Sequence, residues 1–169
     1  SPDSRICHTE SQVYDYPTQE WTLADGVYRT NKNVELGVRY VFPGNDKVTL
    51  IFKCLPSDIN LRTPLKIQQI KISDLNLPGT INPVTEFAYD ITTGMADGTF
   101  EYDLTLPKPS DISTQLSYIE KPASEVISSP VSVEDIKQIT DVKLEQLTDM
   151  VKANDINHFT IYIVTANVR

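Results

Sequence analysis

Four side chains in this sequence carry atoms suited to nucleophilic or soft-metal chemistry: Cys7, His8, Cys54 and His158. Nucleophilic catalysis needs a base within hydrogen-bond reach of a thiol or hydroxyl, with a third group to orient it. Cys7 and His8 are adjacent, so in an extended segment their side chains point apart. No Gly-x-Ser-x-Gly elbow is present. Structural metal centres usually announce themselves by closely spaced Cys and His ligands. Here there is no Cys-x-x-Cys and no His-x-x-x-His, and the four residues converge only if the N-terminal segment folds back onto the body. The histidines read as solvated residues near loop ends. No catalytic residue and no metal ligand is assigned, and no cofactor is expected. A metal-dependent enzyme using His8, His158 and acidic residues is kept as an alternative.

Harder cations prefer carboxylates, and Asp90, Asp97, Glu101 and Asp103 flank what reads as one hairpin. Their spacing does not match an EF-hand loop. Glu101 and Asp103 fit the solvated face of an alternating strand better. Phosphate-cradling loops need several glycines at a strand-to-helix turn, and the six glycines form no such set. The net charge of −8 repels a phosphate backbone, and Arg62, Lys66 and Lys71 are scattered rather than striped. Nucleic acid is therefore not an expected partner.

Aromatic residues offer a different chemistry. Tyr14, Tyr16, Trp21 and Tyr28 cluster near the N-terminus. Exposed flat rings contribute contact area at little entropic cost, which suits a sugar or protein surface, so these four are the candidate ligand-binding residues. The competing reading places Trp21 and Tyr28 in the core and uses Tyr14 and Tyr16 to pack an arm onto the body. A second set, Phe87, Tyr89, Phe100 and Tyr102, has the parity of a shared hairpin face and reads as core.

The two cysteines bear on compartment. Cys7 and Cys54 form a disulfide that pins the N-terminal arm, or they are free. A disulfide favours an oxidising, extracytoplasmic location. No Asn-x-Ser/Thr sequon is present, so nothing specifically supports eukaryotic secretion. No apolar run approaches the ~18 residues of a membrane helix, so no membrane span is expected.

The elements that must position these residues are mostly strands. Residues 1–19 are polar and read as an arm. Residues 34–42 and 47–55 alternate on either side of the dense turn Pro43-Gly44-Asn45-Asp46 and read as a β-hairpin. Residues 65–72 read as a strand whose apolar phase switches from Leu65/Ile67 to Ile70/Ile72, which one inserted residue at Gln68-Gln69 would explain as a β-bulge. Residues 84–91 and 99–106 read as a second hairpin across Gly94 and Asp97-Gly98. Residues 115–120 form a short strand and 159–164 a strong central one. Between them Val133, Ile136, Thr140, Leu144, Leu147 and Val151 recur at helical spacing. That stripe predicts a helix over about 132–153, with the β-branched Ile139, Thr140 and Val142 weakening its middle.

Seven or eight strands with regular turns point to a mainly β protein. The expected form is an Ig-like or related antiparallel β-sandwich with one C-terminal helix; a β-rich α+β domain is the alternative. Residues 20–169 would be a single sandwich domain behind the arm. The functional reading is a non-enzymatic extracytoplasmic or cell-surface module for binding or assembly, engaging another protein or a surface glycan. A carbohydrate-binding module is the alternative carried by the aromatic cluster.

Overall fold

Apolar residues on alternate positions build strands along most of the chain. A computed structural model describes residues 5–8, 19–140 and 143–166. Among them are thirteen strands and one short α-helix. In order these are β1 (Arg5–Cys7), β2 (Trp21–Ala24), β3 (Val27–Thr30), β4 (Arg39–Val41), β5 (Thr49–Pro56), β6 (Lys66–Lys71) and β7 (Phe87–Thr92). They are followed by β8 (Glu101–Pro107), β9 (Thr114–Ile119), α1 (Ala123–Ser128), β10 (Ile136–Gln138), β11 (Leu144–Gln146), β12 (Met150–Ile156) and β13 (Ile161–Ala166). The six-stranded sheet runs β1-β5-β8-β12-β11, with β4 also pairing β5. The seven-stranded sheet runs β10-β9-β13-β7-β6-β3-β2. The pairings are antiparallel.

The two sheets form a β-sandwich around one principal core. Leu50, Phe52, Tyr102, Leu104 and Val151 enter it from the six-stranded sheet; Ile67, Tyr89, Ile91, Leu116, Tyr162 and Val164 enter it from the other. Fully burying a side chain of this size contributes roughly 1.5–3 kcal/mol. The core reading of Tyr89, Phe100 and Tyr102 holds, with Phe87 packed at its margin. The expected hairpin between residues 84–91 and 99–106 does not form. β7 pairs with β6 and β13, whereas β8 pairs with β5 and β12, so these aromatics face one another across the sandwich.

The hairpin around Pro43–Asp46 is present. Arg39, Tyr40 and Val41 pair with Ile51, Leu50 and Thr49, and Phe42 N–H donates to Val48 O at 2.9 Å. Its first strand is shorter than expected because Gly37 takes φ +74° and turns the chain. No bulge interrupts Gln68-Gln69: six consecutive residues of β6 pair in register with β7. The phase change has another cause. Ile67 faces the principal core, while Ile70 lies in a second apolar cluster with Leu75, Ala88, Ile119, Val126, Val131, Ile161 and Ile163. That cluster sits on the outer face of the seven-stranded sheet, under α1 and the segments flanking it.

The helix expected over about 132–153 is absent; β10, β11 and β12 occupy the described part of that span. Two members of the helical stripe, Val133 and Leu147, are 57% and 42% exposed, so the stripe is not one buried face. The β-branched Ile136, Ile139 and Thr140 disfavour a helix locally, and open edges on both sheets satisfy the backbone. β10 pairs with β9, while β11 and β12 form a hairpin closed by a 2.8 Å bond from Leu147 N–H to Met150 O. The α-helix among the described residues, α1, is the short segment that follows Pro122.

Candidate binding face on the seven-stranded sheet

Strand pairing fixes which side chains share the outer face. Asp25 and Gly26 take φ +53° and +80°, the left-handed pair that a two-residue hairpin turn requires. The turn joins β2 to β3 and sets Thr22 opposite Arg29. Arg29 pairs with Lys66, and Lys66 with Thr92. A row Thr22–Arg29–Lys66–Thr92 therefore crosses four strands. The next row on the same face is Ala24–Val27–Gln68–Asp90, continuing through Ile161 to Ile119. The outer face thus divides into an apolar half roofed by α1 and a polar half left open. The open half holds a depression of about 420 Å³ lined by these two rows.

Its charges are not paired with one another. Ion pairs elsewhere join Arg5 to Glu101, Lys47 to Asp149, Lys53 to Asp103 and Asp155, and Lys121 to Asp135. Arg29, Lys66 and Asp90 belong to none of the described pairs. Burial in the middle of the sheet pushes the Asp90 carboxyl up from 3.8 to about 6. A second depression, of about 530 Å³, shares Asp90 and Thr92 with the first and adds Asp97, Glu120, Lys121 and His158.

His158 lies between β12 and β13, its ring 4.9 Å from that of Tyr118. Its Nδ1 is 3.4 Å from Asn157 Oδ1, and its buried Nε2 meets no polar partner among the described residues. Burial pulls its pKa below the usual imidazole value, against the opposing pull of Asp97 and Glu120. Its carbonyl is more firmly engaged: Tyr102 Oη donates to it at 2.8 Å, and Tyr102 and Tyr162 hydroxyls lie 2.7 Å apart. The residue works mainly as a backbone anchor for a buried tyrosine pair.

Of the expected ligand-binding residues, Tyr14 and Tyr16 lie outside the described residues. Trp21 and Tyr28 pack against the principal core, and the Tyr28 ring meets Phe42 edge-on at 5.1 Å. They alternate with Thr22 and Arg29, so the residues beside them, not the aromatics, reach the open face. Of the four acidic residues considered for calcium, three are divided between the sheets and Asp97 lies in the turn between β7 and β8. Glu101 meets Arg5 and Asp103 meets Lys53 on the six-stranded sheet, while Asp90 faces the depression on the other.

Cys7 and Cys54 are joined by a disulfide and stand opposite each other in the β1–β5 pairing. The bond links neighbouring strands of one sheet, unlike the inter-sheet bridge that marks antibody domains. With Glu101 the two sulfurs form the one close group of metal-capable side chains among the described residues. Bonded to each other, they offer no thiolate.

Arg29, Lys66, Gln68 and Asp90 were not distinguishable as a site in the sequence. Their only signal is that each alternates with inward residues; that they are neighbours follows from pairing between distant strands. The fold and this face define a two-sheet antiparallel sandwich with an open polar sheet surface. No protein-family model, curated protein or solved structure matches the chain.

Proposed function

We propose that this chain is a non-enzymatic, extracytoplasmic binding module that uses the open half of the outer face of the seven-stranded sheet. One observation carries the reading: the apolar half of that face is roofed, while the polar half forms a depression lined by two cations, Arg29 and Lys66, and two carboxylates, Asp25 and Asp90, that form no ion pair with one another. Unpaired charge on a rigid sheet is ready to engage a polar ligand without rearrangement. The Cys7–Cys54 disulfide supports an oxidising compartment. Among the described residues no helix is long and apolar enough to cross a membrane.

Amide chemical shifts, followed while a panel of neutral glycans, acidic glycans and peptides is added, test this. Ligands that bind should move resonances of β2, β3, β6 and β7, and the double charge reversal R29E/K66E should remove the effect. If every binder shifts other surfaces, such as the exposed Ile59–Leu61 turn, the assignment of this face is wrong.

A further inference from the structure

The ligand class follows from the side chains on the open face, and the inference rests on the binding reading above. Arg29 and Lys66 are direct cross-strand partners, so two cationic heads stand side by side. In a chain of net charge −8 they form a local cationic row, which selects for anionic groups. The anion must be sparse. Asp25 and Asp90 line the same depression, and they and the overall charge oppose a dense phosphate polymer. Gln68, Thr22 and Thr92 present amide and hydroxyl groups suited to ligand hydroxyls. The apolar residues in the lining are Ala24 and Val27, which form no pocket for the large side chains that anchor peptides.

Spacing points the same way. Neighbouring strands lie ~4.8 Å apart, close to the rise of one pyranose unit along an extended glycan. A glycan laid across β2, β3, β6 and β7 therefore meets Thr22, Arg29, Lys66 and Thr92 in turn. We infer that the open face binds an acidic polysaccharide, a glycan bearing uronate carboxylates. Arg29 and Lys66 hold the carboxylates, and Gln68 and Asp90 bond to ring hydroxyls.

Tetragalacturonate and its fully methyl-esterified counterpart, the same chain without charge, separate the alternatives when titrated into the disulfide-intact protein. Tetragalacturonate should shift β3, β6 and β7 resonances. Its affinity should fall about tenfold on Arg29→Gln and again on Lys66→Gln, the loss expected for one charge-assisted hydrogen bond. It should also weaken with added salt. Both side chains are exposed, so the variants should melt with the wild type. Absence of tetragalacturonate binding overturns the inference, as does equal binding of the ester or indifference to salt and both substitutions. If neutral glycans or peptides move these strands while tetragalacturonate does not, the acidic-glycan inference alone fails. If all ligands move only other surfaces, the binding-face reading fails with it.

Discussion

Replacing Asp90 with Asn should stabilise the protein, and only when the aspartate is ionised. Asp90 takes up its proton near pH 6 in the fold, against a reference value of 3.8. In the unfolded chain it stays ionised until the lower value. Between them the native state holds more protons than the unfolded one, so wild-type stability falls as pH rises from about 4 to 6 and the penalty is complete above that. The shift is about two units at ~1.4 kcal/mol each, an upper bound near 3 kcal/mol, and residual solvent contact trims it to about 2 kcal/mol. Asn keeps the shape and removes the charge. At about pH 8 the variant should melt roughly 4–8 °C above wild type for a domain of this size; near pH 3.5, below both values, the two should coincide. Thermal and urea melts of both proteins at the two pH values give the double difference. A gap that persists at low pH would refute the reasoning, as would a destabilised variant at pH 8. The second result would mean that Lys66 or Arg29 already neutralises Asp90, and the face would lose its free charge.

Other perturbations address the scaffold. Reducing the Cys7–Cys54 bond, which closes a loop of 47 residues' separation, should cost about 4 kcal/mol on chain-entropy grounds, read by urea denaturation with and without a dithiol. Tyr102→Phe removes a buried hydroxyl shared with Tyr162 and the His158 carbonyl and should cost about 1–2 kcal/mol. Combined with Tyr162→Phe the loss should be less than the sum, because the two hydroxyls partner each other. Val126→Ala, at a fully buried position under α1, should cost about 1.5–3 kcal/mol while leaving the open half of the sheet unchanged in amide shift maps.

The parts of the fold legible in the sequence were those decided locally. Pro43-Gly44-Asn45-Asp46 between two alternating runs specifies a hairpin, and residues 159–164 are apolar because β13 is covered on both faces, by Tyr162 and Val164 inward and Ile161 and Ile163 outward. The errors came where distant partners decide. Residues 132–153 carry a helical spacing by coincidence: Ile136 serves the second cluster, Ile139 and Val151 the principal core, and Val133 and Leu147 neither. The phase change in β6 mimics a bulge because a strand covered on opposite faces at its two ends changes phase without an extra residue. The candidate face was hidden for the same reason. Arg29, Lys66 and Asp90 are far apart along the chain and become neighbours only through β3–β6–β7 pairing. Of the aromatic cluster, Trp21 and Tyr28 lie on β2 and β3, strands of the candidate face, but on their inward side.

The disulfide also determines how the domain would bear mechanical tension. A pull transmitted along the chain to Cys7 passes through the sulfur bridge directly to Cys54, and the covalent path omits everything between them. The bypassed segment contains the whole β2–β3 hairpin, and with it Thr22 and Arg29. Force enters the body in β5, paired on one side with β1 and along its length with β8. Tension applied between Cys7 and a residue after Cys54 would therefore bypass the β2–β3 hairpin, which carries Thr22 and Arg29 of the candidate face.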